Sequence, residues 1–147
     1  MTKRIGEFRG RYYFLSNFAE YPVTYRGITF RNNEAAFQAM KLMDPEKWKS
    51  FTHLPPNEAK AKGRRVPLRP DWEEVKDEIM YEIVLAKFTQ HPDLKRKLLE
   101  TGDAELVEGN TWGDTYWGVC RGRGKNKLGK ILMRVRQELR EQRGESR

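Results

Sequence analysis

The sequence predicts an α+β fold, predominantly helical, with a small N-terminal antiparallel β element in one domain. Aromatic and β-branched residues cluster in the first thirty positions, in Arg11-Tyr12-Tyr13-Phe14-Leu15 and in Val23-Thr24-Tyr25-Arg26-Gly27-Ile28-Thr29-Phe30. Such runs around a glycine read as short strands. Most of the remaining chain places apolar residues at helical spacing. A length of 147 residues with four Trp, seven Phe and six Tyr suits one domain with a real core, 1–147.

Between the two aromatic runs, Ser16-Asn17-Phe18 reads as a loop whose hydroxyl and amide either cap local backbone or face a ligand. A helix then opens at Asn33-Glu34-Ala35-Ala36-Phe37-Gln38-Ala39-Met40-Lys41. Asn32 and Asn33 offer capping oxygens, and Glu34 falls in the first turn, where the helix dipole favours negative charge. That placement accounts for Glu34 without any chemistry. A carboxylate, a Gln and a Lys beside an apolar stripe nevertheless make this segment the first candidate for a catalytic site.

Pro45 and Pro55-Pro56 punctuate short helical pieces, the second running from Asn57 to Lys62 and ending at Gly63, followed by the basic loop Lys62-Gly63-Arg64-Arg65. Asp71-Trp72-Glu73-Glu74 resembles a capping box opening a long helix with Val75, Ile79, Ile83 and Ala86 on one face. His91-Pro92 interrupts it; a further helix carries Leu94, Leu98 and Leu99 and stops at Gly102.

From Gly109 to Gly129 the character changes to a glycine-rich loop holding Trp112, Asp114, Trp117, Lys125 and Asn126. Tryptophans supply stacking surfaces, glycines permit close approach of backbone, and Asp114 is a second isolated carboxylate. Gly122-Arg123-Gly124-Lys125 opens the next helix and is an anion-site candidate, although its spacing fits neither a Walker A loop nor a dinucleotide fingerprint. The closing helix presents Leu128, Ile131, Leu132, Val135 and Leu139 to the core, and the tail 141–147 is expected to fray.

The net charge is +8, and residues 121–147 carry ten Lys or Arg against three Glu. A block of this kind attracts phosphate, so a nucleotide or nucleic-acid ligand is one reading and a solvated helix face the other. One Cys and two His give no zinc set, and Cys120 has no evident His partner in the sequence. No metal site and no cofactor are expected. The absence of a long apolar run or signal-peptide core leads to the expectation of a cytoplasmic protein with no membrane contact.

Six ordered blocks together resemble the NADAR family, the YbiA-like N-glycosidases: Phe14-Leu15-Ser16-Asn17-Phe18; Glu34 to Lys41; Pro67-Leu68-Arg69-Pro70-Asp71-Trp72; Ala86 to His91; Asp114-Thr115-Tyr116-Trp117-Gly118; and Gly124 to Gly129. They cover about 14–136. Ala35 stands where many relatives have His, and Val119 where some have Asp, which leaves Asp114 as the stronger acid of its loop.

The resemblance implies a single YbiA-like domain that hydrolyses a ribosyl N-glycosidic bond. The substrate is then a phosphorylated ribosyl compound: a phosphoribosylamino-pyrimidine of riboflavin biosynthesis, or ADP-ribose attached to guanine, with ADP-ribosylated DNA as a partner. Glu34, Asp114 and Trp72 become the catalytic candidates. Asn17, Phe18, Gln38, Lys41, Arg65, Trp112, Trp117, Lys125 and Asn126 become the substrate-binding ones. The competing reading is a non-catalytic module that binds ADP-ribose or nucleic acid; a basic RNA-binding module is a third. The oligomeric state is not legible.

Overall fold

The computed structural model describes residues 3–142 and divides the chain into two compact units, 17–90 and the combination of 3–16 with 91–142. Helices dominate both, and the strands are short.

In the first unit, β2 (Val23–Tyr25) and β3 (Ile28–Phe30) follow β1 (Arg4–Ile5) of the other unit in sequence and form an antiparallel hairpin, Val23 facing Phe30 and Tyr25 facing Ile28. Arg26 and Gly27 both take positive φ, 53° and 81°, as a tight two-residue turn matched to strand twist demands. Val23, Tyr25 and Phe30 turn inward, while Thr24 and Thr29 stay outside and share a 2.8 Å hydrogen bond. Beside Tyr25 lies Glu82, whose carboxylate accepts a hydrogen bond from the phenol; burial first, then this hydrogen bond, push the phenol up to about 12.

At the centre of this unit is α1 (Asn33–Ala39), all seven of whose residues are buried. Asn32 caps it by accepting from the Ala35 amide at 2.8 Å, and its own amide donates to Glu20 and to the Leu54 carbonyl, each at 3.1 Å. Then come α2 (Pro45–Trp48), α3 (Pro56–Gly63) and α4 (Trp72–Gln90). Gly63 lets α3 close on α1, since a Cβ there would stand 1.9 Å from Gln38 Oε1. Along α4, Ile79 and Ile83 are buried as the spacing predicts, whereas Val75 and Ala86 are only half-buried and Trp72, Met80, Val84 and Phe88 complete the inner face. Asp71, at the head of α4, gives its carboxylate to a two-pronged pair with Arg69, at 2.6 and 3.2 Å.

In the second unit, β1 pairs in parallel with β4 (Glu105–Leu106), and β5 (Gly109–Asn110) with β6 (Val119–Cys120). Its helices are α5 (Pro92–Glu100) and α6 (Lys127–Gln142), the latter burying Leu128, Ile131, Leu132, Val135 and Leu139. Two arginines of the basic C-terminal block brace the end of α5: Arg136 donates to Thr101 Oγ1 and Arg140 to the Gly102 carbonyl, both at 2.9 Å. Of the tail expected to fray, Glu141 and Gln142 continue α6, and 143–147 lie outside the described residues.

The run Arg11–Leu15 is not a strand. Gly10–Leu15 forms a 3-10 helix, closed by Tyr12 and Ser16 amides donating to the Arg9 and Tyr13 carbonyls at 2.9 Å. Adjacent Phe14 and Leu15 are both buried, which the alternation of a strand with one exposed face does not supply.

Candidate active site

A helix buried on every side has little use for polar side chains, yet α1 carries three: Asn33, Glu34 and Gln38, exposed by 1%, 8% and 6%. The Glu34 amide donates to the Asn17 carbonyl at 3.1 Å, which ties the helix start to the loop after Ser16. One turn on, Gln38 Nε2 donates to Glu34 Oε2 at 2.7 Å and fixes the carboxylate. Asn33 Nδ2 donates to Asn17 Oδ1 at 3.3 Å, and Asn17 Nδ2 reaches Met80 Sδ at 3.3 Å. Among the described residues, Asn33 Oδ1 and Gln38 Oε1 are the buried side-chain oxygens without a hydrogen-bond partner. Such acceptors are costly in a core and concentrate at functional sites.

Lys41 follows α1 and donates to the Gly63 carbonyl at 3.2 Å. Burial pulls its ammonium below the ordinary lysine range; the Glu34 charge opposes this, while Arg64, Lys60 and Lys76 add to it. Lys60 lies 5.8 Å from the centre of the Phe18 ring. Trp72, 5% exposed, packs its ring against Phe37 at 5.1 Å and 51°. The Arg69 amide donates to the Lys41 carbonyl at 2.9 Å, holding the approach to Trp72 against the end of α1.

Seven of the sequence-predicted residues therefore belong to this unit: Asn17, Phe18, Glu34, Gln38, Lys41, Arg65 and Trp72. Hydrogen bonds and ring contacts tie all of them into this unit except Arg65, whose side chain is exposed. Its neighbour Arg64, exposed as well, adds its charge to the lowering of Lys41. Arg64, Lys60 and Lys76, whose charges also lower Lys41, were not singled out from the sequence. The signals were there: Lys60 and Arg64 are four apart, and Lys76 stands one turn beyond Trp72.

The other five, Trp112, Asp114, Trp117, Lys125 and Asn126, belong to the second unit. Asp114 Oδ1 accepts the Tyr116 and Trp117 amides at 3.1 and 2.9 Å, and its backbone is held at both ends by the Asn110 side chain, at 3.0 and 2.9 Å. This carboxylate shapes its own loop. Asn126 is committed likewise: its amide accepts from the Glu108 amide and donates to the Leu106 carbonyl, each at 2.9 Å. Trp112 is 56% exposed, Trp117 packs edge-on to Tyr116 at 4.9 Å, and the exposed Lys125 lies 5.3 Å from the Tyr116 ring centre. Glycines here serve backbone packing, for a Cβ on Gly124 would stand 2.1 Å from the Gly118 carbonyl oxygen.

Among the described residues, no group of three or more His, Cys, Asp or Glu is placed to hold a metal ion, and no helix is long and apolar enough to cross a membrane.

Comparison with known proteins matches residues 6–140 to the NADAR domain. The chain is 41% identical over 128 residues to the N-glycosidase YbiA of Escherichia coli, covering 84% of this chain and 79% of that protein. The NMR structure of that protein superposes with a TM-score of 0.87 at 37% identity, over 100% of this chain and 91% of that one. An N-glycosidase of Nostoc punctiforme is 39% identical over 135 residues, covering 85% of this chain and 84% of its own. A riboflavin biosynthesis protein of Vibrio vulnificus is 36% identical over 135 residues, which span 87% of this chain and 36% of that protein.

Proposed function

We propose, for a chain that belongs to the NADAR family, that it is an N-glycosidase cleaving the bond between a ribosyl carbon and a base nitrogen. One observation carries this reading beyond the relatives' names. Glu34 is a carboxylate held in a fixed position inside a fully buried helix, where a structural role alone favours an apolar residue.

Breaking an N-glycosidic bond leaves positive charge on the ribose C1′ and its ring oxygen while the base departs with the bonding electron pair. A preorganised carboxylate in a water-poor site stabilises that charge, because it need not reorient as the charge develops. Glu34 takes this role and receives the proton of the water that adds to C1′, and the departing base nitrogen gains that proton in turn. Gln38 orients it. Lys41, beside it, holds the anionic part of the substrate, and Trp72 and Phe18 supply flat surfaces for the base or sugar. Asp114 acts as a positioning residue that orders Asp114-Thr115-Tyr116-Trp117 through its two amide contacts. The reaction consumes only water.

The substrate class is a phosphorylated ribosyl compound, and two members fit: a phosphoribosylamino-pyrimidine and ADP-ribose joined to guanine, free or on DNA. The name of the Vibrio relative supports the first. Incubating the protein with each and following the freed base by mass spectrometry tests the proposal. Release from at least one is expected; no release from either, with ADP-ribose still bound tightly, overturns it in favour of a binding module.

A further inference from the structure

Strands β5 and β6 run parallel with Asn110 opposite Cys120, so the chain leaves both at the same end of the pair. Just past Asn110 comes Trp112, 56% exposed; just past Cys120 come Arg121 and Arg123, both exposed. Backbone contacts hold these loops in place. The Asn110 side chain clamps both ends of the Asp114 backbone, and Cys120 and Arg123 exchange amide-to-carbonyl bonds at 2.8 and 3.1 Å. The Lys125, Lys127 and Leu128 amides donate to the Thr115, Tyr116 and Trp117 carbonyls at 2.8, 3.1 and 2.9 Å. That ladder sets the Lys125 and Lys127 ammonium groups 5.3 and 5.6 Å from the Tyr116 ring centre.

Arg121 and Gly122 take φ of 53° and 79°, a two-residue turn whose first position suits Asn, Asp or Gly better than a long side chain. Arg26-Gly27 makes the same turn between β2 and β3. There the arginine meets the Glu82 carboxylate at 3.5 Å and the Tyr25 ring at 5.1 Å. Arg121 and Arg123 make no ion pair or ring contact among the described residues. From Gly109 to Lys130 five Lys or Arg stand against one acid, Asp114, whose Oδ1 accepts amides of its own loop. Neither the turn nor local pairing therefore calls for arginine at 121. A polyanion does. An exposed indole beside unpaired guanidinium groups on a fixed backbone suits a nucleic-acid strand with unpaired bases, whose flat faces stack on the ring while its phosphates meet the cations. A duplex hides those faces, and an acidic peptide offers the indole no comparable surface.

We propose that the loops 111–114 and 121–125 form a contact surface for single-stranded nucleic acid, with Trp112 stacking on a base and Arg121, Arg123 and Lys125 meeting phosphates. The surface lies within the second unit and stands on its own geometry, independent of Glu34. Combined with the N-glycosidase reading, it favours a ribosyl substrate carried on a strand over a free one.

The test is direct binding, which needs no turnover. Anisotropy of a labelled oligothymidylate is followed over a series of salt concentrations, with an unlabelled duplex as competitor. The proteins are the wild type, Trp112→Ala, Trp112→Phe, Arg121→Gly, Arg123→Gln and, as a control on the exposed α2, Lys47→Gln. Trp112→Ala is expected to bind about tenfold more weakly with an unchanged salt dependence, and Trp112→Phe to keep most of the affinity. Arg121→Gly, which suits the turn, and Arg123→Gln are each expected to weaken binding about threefold and to flatten the slope of log affinity against log salt by about 0.7. The control is expected to bind as the wild type does, and all thermal midpoints to stay unchanged. A wild type that does not bind the oligothymidylate, variants that bind it as the control does, or a duplex that competes better than the unlabelled single strand overturns the surface. Each of these results leaves the reading of Glu34 untouched, because hydrolysis is measured separately.

Discussion

Glu34 and Gln38 stand one turn apart on α1 and share a 2.7 Å hydrogen bond donated by the Gln38 Nε2, while the Gln38 acceptor Oε1 lies buried against Gly63 without a partner. The arrangement fixes the carboxylate through an amide that is itself wedged between two helices. Position of the carboxylate thus depends on the closeness of α3.

Gly63→Ala tests this dependence. A Cβ 1.9 Å from Gln38 Oε1 forces the amide or α3 to move. Overpacking of this kind costs ~1–3 kcal/mol, and loss of the Gln38 brace is expected to lower kcat about tenfold with KM changing less. Thermal unfolding and steady-state kinetics read the two effects. Unchanged kcat in a protein of lowered stability shows that Glu34 needs no brace.

Asp114 separates a loop staple from a catalytic carboxylate. Asp114→Asn keeps an oxygen for the Tyr116 and Trp117 amides and is expected to retain thermal stability and turnover within about threefold. Asp114→Ala removes the acceptor and is expected to destabilise by ~1–2 kcal/mol, with turnover falling alongside. A loss of turnover in Asp114→Asn at unchanged midpoint gives the carboxylate charge a direct part in the reaction.

Lys87, on α4 and 1% exposed, makes stability depend on pH. Its ammonium lies 5.6 and 5.2 Å from the Tyr21 and Phe88 ring centres, and burial pulls it from 10.5 down to about 7. Between these values the unfolded chain binds more protons than the folded one, so this group makes stability rise with pH through that window; below it the full cost of burying the charge is present. Lys87→Met is therefore expected to gain most relative to wild type near pH 6 and to lose that advantage toward pH 10. A difference in thermal midpoint that stays constant with pH contradicts the assignment.

Much of the fold was legible because local chemistry and burial agree in it. Asn32 caps α1, and the stripe of Leu128, Ile131, Leu132, Val135 and Leu139 is buried as its spacing demands. Arg11–Leu15 failed because aromatic composition does not report backbone shape, and the pairing of buried neighbours Phe14 and Leu15 suits a 3-10 turn. Glu34 was singled out because a helix that starts with a carboxylate beside an apolar stripe is conspicuous. Asn126 was singled out because an Asn among glycines and lysines suggests a ligand, and in the fold its amide is bonded to the Leu106 and Glu108 backbone.

The central claim is that Glu34 carries the chemistry. Glu34→Gln keeps the size of the side chain and removes its charge, so turnover of whichever ribosyl substrate the wild type cleaves is expected to fall by roughly a thousandfold, with affinity for ribose 5-phosphate retained within a fewfold. Equal turnover in Glu34→Gln and wild type, both folded and both binding the ligand, contradicts the claim and leaves the buried carboxylate a structural residue.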